Sequence, residues 1–343
     1  MNKPHFTLSK SKLLEQIKKL EGLNLKISYS YKTNREIGKV LQEIAPQVNF
    51  SIHAQEEIKD IKDKSGISFF TQAESIEEIK ETLKSGIKNF VIDNEIDLQR
   101  ILKVVKETST KINLSIRMKF QEHRIGTGKY FIYGLSSSKV NEIIKEIKDN
   151  PLIEKIGIHL HRKSQNTSEW EIIEEIKDSL KEETLERINM INLGGGLPSI
   201  YRSSNVDVFN YIFEKLKKAQ KWLVEKNIET IIEPGRFLAA PPIKLVTEII
   251  QAYDNNLIIN TTIYHCALDN SLTNTKMLIE NETENGEAFL IKGNSPTRDD
   301  IFRYKVKLKN PKVGDTITFL NAGAYNYTTD FFGYKKLETK IIE

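Results

Sequence analysis

The sequence predicts an α/β fold, a (β/α)8 TIM barrel over residues 11–240, with an antiparallel β domain after it. Three observations predict this. Short apolar, β-branched runs alternate with longer amphipathic ones over the first two thirds of the chain. The chemically unusual residues follow directly after the short runs. After Ala240 the alternation stops, and strand-like runs succeed one another through turn-rich segments.

The barrel strands are expected at Lys26–Ser30, Val48–Ile52, Ile67–Phe70, Asn89–Ile92, Asn113–Met118, Lys155–Leu160, Met190–Leu193 and Thr230–Ile232. Between them, Ile76–Leu83, Val140–Ile147 and Phe209–Val224 carry apolar residues at i, i+3, i+4 spacing, which suits helices packing one face on a sheet. Eight such units in about 230 residues match the usual size of a barrel. An open doubly wound sheet would share the alternation. The barrel is favoured because Lys32, His161, a triple glycine and Glu233 all follow strands. In a barrel those ends share one face, so residues distant in sequence can meet. Beyond Ala240, strands are expected at Leu245–Ile250, Ile258–Tyr264, Ala288–Ile291, Tyr304–Leu308 and Thr316–Leu320. Residues 1–10 are expected to join 241–343 in a β-sandwich or barrel.

The bulk composition excludes several roles. The chain has 343 residues, 39% hydrophobic and 29% charged, an ordinary globular balance. Its net charge of +4 is spread out rather than clustered, so no nucleic-acid partner is expected. Cys266 is the single cysteine, which rules out an intramolecular disulfide and a cysteine-rich metal site. It is expected to be a buried structural residue at the end of a β-domain strand. Residues 1–10 lack an apolar signal core, and no run of about 18 apolar residues exists, so no membrane association is expected. A cytoplasmic location fits.

Four runs carry chemistry. In Tyr29-Ser30-Tyr31-Lys32-Thr33-Asn34, a lysine ends the first barrel strand in partly apolar surroundings. Desolvation there lowers an amine's pKa and favours Schiff-base formation. In Asn192-Leu193-Gly194-Gly195-Gly196-Leu197-Pro198, three glycines after a strand let backbone N–H groups approach an anion such as phosphate. No Gly-Lys-Ser/Thr follows, so a nucleoside-triphosphate loop is unsupported. In His159-Leu160-His161-Arg162-Lys163-Ser164-Gln165, the two histidines point the same way on a strand. A zinc pair is conceivable, but no third ligand is evident and no metal is expected. The strand-end histidine could stack on an aromatic cofactor, and Ser164 could bond a phosphate. In Glu233-Pro234-Gly235-Arg236, an acid and a base flank a rigid turn. A carboxylate there can keep a pyridine nitrogen protonated, or it can form a local ion pair.

Together these runs, with Ala322-Gly323-Ala324-Tyr325, resemble the fold-type III pyridoxal-phosphate decarboxylases, which include the diaminopimelate, ornithine and carboxynorspermidine decarboxylases. The five runs occur in the family's order, from Tyr29 to Tyr325. The resemblance implies an alanine racemase-like barrel with pyridoxal 5'-phosphate on Lys32. It further implies that His161 stacks on the pyridine ring and that Glu233 pairs with the ring nitrogen. Ser164, Gly194, Gly195, Gly196, Gly235, Arg236 and Tyr325 would hold the cofactor at its phosphate end. Arg117, near the end of the fifth strand, matches a family arginine near the cofactor. The expected catalytic set is Lys32, His161 and Glu233, acting on a small-molecule amino acid. A head-to-tail homodimer is implied, each protomer donating one segment to its neighbour's site.

That donated segment departs from the family pattern. The family has approximately Gly-x-x-Cys-x-x-x-Asp, with the cysteine in reprotonation and the aspartate at the distal ammonium of the substrate. Here it reads Gly293-Asn294-Ser295-Pro296-Thr297-Arg298-Asp299-Asp300. Pro296 has no proton to give, and Lys32 or a water is the expected substitute. Arg298, Asp299 and Asp300 are the expected substrate-binding residues, and Arg298 would suit a distal carboxylate through a bidentate contact. Lys163 replaces the family glycine before Ser164. The leading expectation is decarboxylation of an L-amino acid with a distal amino group, of the kind met in polyamine metabolism. A racemase of the same fold and a non-catalytic, cofactor-binding regulator are the alternatives.

Overall fold

The computed structural model describes residues 2–120, 133–202, 204, 208–326, 329–330 and 333–343. Eight strands form a closed barrel in sequence order: β2 (Lys26–Ser30), β3 (Asn49–Ile52), β4 (Ile67–Phe70), β5 (Asn89–Ile92), β6 (Ile112–Arg117), β7 (Ile153–His159), β8 (Met190–Asn192) and β9 (Glu229–Ile232). Every neighbouring pair is parallel, and β9 closes on β2 through Lys26↔Ile231 and Ile27↔Ile232.

Side chains alternate between the two faces of each strand. The outward set is apolar and buried, for example Phe50 and Ile52, Phe90 and Ile92, Leu114 and Ile116. It packs against helices that the sequence caps well. Helix Ile76–Lys84 starts at a capping box between Ser75 and Glu78. Helix Ser137–Ile147 starts at Ser136, which accepts from the Lys139 N–H. The inward set is unusual. Barrels normally fill this space with bulky branched residues. Here β2 turns Lys26, Ser28 and Ser30 inward, β3 turns Asn49 and Ser51, and β6 turns Asn113, Ser115 and Arg117.

A second sheet holds the rest: β1 (His5–Ser9), β10 (Ile243–Tyr253), β11 (Asn256–Ile259), β12 (Leu278–Ile279), β13 (Glu287–Lys292), β14 (Ile301–Leu308), β15 (Thr316–Leu320) and β16 (Glu338–Ile342). The main path runs β12-β15-β10-β11-β13-β14, with β1 pairing both β10 and β16. The start of the chain thus belongs to this sheet. The sheet is mostly antiparallel, but β1–β16 and β11–β13 are parallel. The run expected as one strand over Ile258–Tyr264 is corrected: β11 stops at Ile259, and Ile263–Cys266 is a helical turn. The cause is local, because the Ile263 N–H donates to Asp300 Oδ1 at 2.7 Å rather than to a sheet neighbour. Cys266 is buried as expected, but at the end of that turn.

The two units meet beside Lys32. Asn34 Nδ2 donates to the Gly323 carbonyl at 2.8 Å, and the Tyr325 N–H donates to the Thr33 carbonyl at 3.0 Å. A Cβ on Gly323 would fall 2.0 Å from the Ala239 carbonyl oxygen, so only glycine permits this approach.

Candidate active site

The C-terminal mouth of the barrel brings together the residues that the motifs singled out. Lys32, Arg117, His161, Ser164, Glu233 and Arg236 line one cleft, with Gly195, Gly196, Gly235 and Tyr325 in its wall. Larger clefts of about 600 and 610 Å³ lie on the β domain. They lack this convergence of perturbed ionisable groups, so the chemistry points to the barrel mouth.

Lys32 sits two residues past β2, in the short 3₁₀ segment Tyr31–Thr33. Its amine touches solvent in the cleft but is crowded by protein on its other sides. That burial lowers its pKa; the Glu233 charge opposes the shift and Arg117 adds to it. Lys32 has no hydrogen bond or ion pair among the described residues, so its nitrogen is uncommitted.

Glu233 is the reverse case. Ser51 Oγ and Asn192 Nδ2 donate to its Oε1 at 2.6 and 2.8 Å, and His159 Nε2 lies 3.0 Å from Oε2. Burial alone would raise its pKa, but the surrounding donors and cations win and hold it down to about 2. The carboxylate stays ionised. Burial pushes the His159 pKa down against the opposing pull of Glu233, and takes His161 well below the ordinary imidazole range, with Arg117 adding to the latter. The Gly195 N–H points to His161 Nδ1 at 3.4 Å, and the His159 and His161 rings lie 6.3 Å apart at 16°.

The glycine loop packs closely, excluding a side chain at Gly194 and crowding one at Gly195. Gly194 has φ +69°, and a Cβ there would sit 1.8 Å from the Leu160 carbonyl oxygen. A Cβ on Gly195 would come within 3.2 Å of the His161 ring and 3.1 Å of the Glu233 carbonyl oxygen. Gly235 backs on Thr33 in the same way. Ser164 is exposed and accepts from Arg236 Nε at 2.9 Å.

The surroundings refine two expectations. Arg236 is already engaged: it pairs bidentately with Asp269 at 2.8 and 3.0 Å and donates to the Tyr201 hydroxyl at 2.9 Å. It therefore braces Ser164 and Tyr325, whose ring lies 5.3 Å away, more than it offers free donors to an anion. Asp300, expected at the substrate, is corrected. It is fully buried, and its oxygens accept from the Ile263 N–H and from the N–H and hydroxyl of Ser295. It anchors its own loop. Arg298 and Asp299 stay exposed at the loop's apex, 3.9 Å apart.

Four participants escaped the motif reading. His53, just past β3, stacks on Phe70 at 4.6 Å and 13°, and burial, with the Lys32 charge behind it, lowers its pKa to about 3. Ser51 and Asn192 hold Glu233, and Asp269 holds Arg236. His53 had a signal, since it follows a strand just as Lys32 and Glu233 do; Asn192 opens the glycine run itself. Glu233 also supplies the third group that the histidine pair lacked, the ligand atoms lying within 4.8 Å of one another. Lys32 and Arg117 add positive charge beside that cluster, which suits an anionic ligand better than a metal ion.

The model of the pyridoxal-dependent decarboxylases, pyridoxal binding domain, matches residues 10–240. The chain belongs to that family. Its cofactor is pyridoxal phosphate, and the residues present fit it: an uncommitted lysine, an ionised buried carboxylate, and a glycine cradle that a Cβ would fill. Among relatives, the diaminopimelate decarboxylase of Vibrio cholerae is 28% identical over 241 residues, 65% of this chain and 57% of that protein's length. The 2-[(L-alanin-3-ylcarbamoyl)methyl]-2-hydroxybutanedioate decarboxylase of Staphylococcus aureus is 23% identical over 89% of this chain and 84% of that one. In fold, the diaminopimelate decarboxylase of Helicobacter pylori complexed with L-lysine superposes with a TM-score of 0.84 at 20% identity, covering 100% of this chain and 92% of that one. Among the described residues, no helix is long and apolar enough to cross a membrane.

Proposed function

We propose that the chain removes the α-carboxylate of an L-amino acid carrying a distal amino group. One observation carries this: an uncommitted Lys32 and an ionised Glu233 line the same cleft, beside the glycine cradle. Pyridoxal phosphate, when bound, supplies the electron sink that lets the bond to the carboxylate break.

The chain's residues divide the remaining work. Lys32 would carry the cofactor, and its lowered pKa keeps more of it in the nucleophilic amine form. Glu233 would hold a proton at the ring nitrogen, and His161 and Arg117 would flank the ring. The N–H groups of Gly195 and Gly196, with Ser164, would hold the phosphate, the Gly194 N–H being taken by Asn192 Oδ1 at 2.8 Å. Gly194 would shape the loop, and Arg236, Gly235 and Tyr325 would support it. The carbon left by carbon dioxide needs one proton. Pro296 has none, and the thiol of Cys266 is buried and pushed up to about 12 by that burial. Lys32 or a cleft water is the remaining source.

A second reading of the substrate has its own support. Asp300 is unavailable to a distal ammonium, whereas Arg298 is exposed. The name of the Staphylococcus aureus relative describes a substrate with hydroxybutanedioate carboxylates. A distal carboxylate read by Arg298 across a homodimer fits both. Carbon dioxide release from a panel of basic and carboxylated amino acids tests the function. Release that disappears in Lys32→Ala is expected. Silence across the panel, with the cofactor bound, would refute decarboxylation and leave the regulator reading; interconversion of enantiomers without release would show the racemase.

A further inference from the structure

The lower half of the barrel holds a second cavity, of about 170 Å³, on the opposite side of Glu233 from the cleft. It opens at the N-terminal rim among Lys26, Asn49, Asn89, Lys155 and Glu229 and reaches inward to Ser115 and Asn192. This space exists because the inward residues are small: serines on β4 and β6, and Gly157 on β7, where a Cβ would sit 2.7 Å from Ser115 Oγ. The cavity is polar and has room for several waters. Polar atoms along its wall lack protein partners, Asn113 Oδ1 among them. A buried polar atom left unpaired costs about 1–3 kcal/mol, so ordered water is the expected partner.

A hydroxyl chain leads from Glu233 toward this cavity and ends at Ser28, whose cross-strand partner Asn49 lines the cavity. Ser28 Oγ lies 2.7 Å from Ser51 Oγ, and Ser51 Oγ lies 2.6 Å from Glu233 Oε1. On β2, Lys26 faces the lower cavity, Ser30 faces the cleft, and Ser28 lies between them on the same face. The direction of the chain follows from its end. An ionised carboxylate only accepts, so Ser51 must donate to Glu233. Ser51 has then spent its proton, so Ser28 must donate to Ser51. Ser28 is left with unfilled acceptor sites and calls for a donor from below.

We propose that the lower cavity is a water-filled proton inlet, which connects Glu233 to solvent through Ser28 and Ser51 from the face opposite the substrate. The step balances. A proton from a hydronium ion in the cavity enters at Ser28 Oγ, the Ser28 proton passes to Ser51, and the Ser51 proton passes to the Glu233 carboxylate. Each hydroxyl ends with one proton, and one water is released below. The inlet would let the proton that Glu233 shares with the ring nitrogen of the bound cofactor exchange with solvent while substrate covers the upper mouth. The groups facing Glu233 are Lys32, Arg117, His53, His159 and His161; those facing the inlet are Lys26, Lys155 and Glu229. The inlet does not depend on which substrate is turned over.

Two measurements on the holoprotein test it. A crystal structure should show ordered waters in the lower cavity, one of them within hydrogen-bond distance of Ser28 Oγ; a dry cavity overturns the proposal. Proton NMR with ¹⁵N-labelled cofactor reads solvent exchange of the proton held between Glu233 and the ring nitrogen. Ser28→Ala should slow that exchange at least tenfold while the visible band of the bound cofactor persists, and Ser28→Thr, which keeps the hydroxyl, should restore it. Unchanged exchange in Ser28→Ala, or no recovery in Ser28→Thr, overturns the inlet.

Discussion

Replacing Asp269 by asparagine should loosen the join between the two units without emptying the active site. Asp269 lies in the β-domain helix Leu268–Thr273, and Arg236 starts the short helix after β9. Their side chains are 9% and 2% exposed and share two bonds of 2.8 and 3.0 Å. Removing one partner of a buried pair costs about 3–5 kcal/mol, because the other charge is left uncompensated. Asparagine keeps one acceptor but turns an NH₂ toward the guanidinium, while Tyr201 and Ser164 still hold Arg236. The lower end, about 3 kcal/mol, is therefore expected. For a chain of this size that is a fall in melting temperature of roughly 4 °C. Thermal unfolding followed by circular dichroism measures it. The local charge also changes: with Asp269 neutral, Arg236 is freer to attract phosphate, so cofactor affinity should hold or tighten. A variant that melts with the parent protein, or a double-mutant cycle with Arg236→Met showing no coupling, would refute the role of this pair in joining the units.

Other expected outcomes follow from the same geometry. Gly195→Ala should fold with a cost of about 1–2 kcal/mol, since its neighbours must yield only tenths of an ångström. Cofactor titration by absorbance should nonetheless weaken at least tenfold, because the His161 ring is what must move. Arg298→Ala should leave the melting temperature unchanged, as its side chain is 96% exposed, and should shift preference among substrates; an unchanged preference refutes the distal-carboxylate reading. Acid should destabilise the protein. The folded pKa values of Glu233 (about 2) and His53 (about 3) both lie below their ordinary values of 4.5 and 6.5. The unfolded chain thus binds more protons as pH falls, and stability present above about pH 6.5 is lost progressively toward pH 3. The His53 shift alone corresponds to about 4–5 kcal/mol at most. Urea unfolding between pH 7 and pH 4 should show this slope, and His53→Phe should flatten it.

The barrel was legible because its strands repeat one physical pattern. Ile67–Phe70 and Asn89–Ile92 fall where the apolar runs place them. The β domain was less so. A two-residue strand such as Leu278–Ile279 has no period to detect, and Glu338–Ile342 is a polar, exposed run whose pairing with β1 comes from the far end of the chain. In the site, Lys32, His161 and Glu233 were visible as motif residues. Ser51, Asn192 and Asp269 were not, because each acts through a partner 33 or more residues away, and each is an ordinary polar residue in its own segment. Asp300 shows the converse. Its spacing from Gly293 suggested a substrate ligand, but the same spacing folds it back, so that a Cβ on Gly293 would meet its carboxylate at 2.3 Å.

That fold-back narrows where substrate choice resides. Once Asp300 is the anchor of the 293–300 loop, the apex it holds out is Pro296 to Asp299. Ser295 Oγ is spent on Asp300 and lies 2.6 Å from the Thr297 hydroxyl, so the apex is braced from within. A braced loop presents Arg298 and Asp299 with less entropy to lose on contact than a floppy one. The proline at the apex has no reactive hydrogen, so this loop is equipped to recognise and not to donate a proton. Under the proposed function, substrate recognition by this loop from a neighbouring subunit and proton delivery from Lys32 or a cleft water would be separate tasks. The separation is measurable: Pro296→Cys should leave substrate preference as it was, whereas Arg298→Ala should change it. If Pro296→Cys instead altered preference as strongly as Arg298→Ala, the apex would be one functional unit and the division of labour would fail.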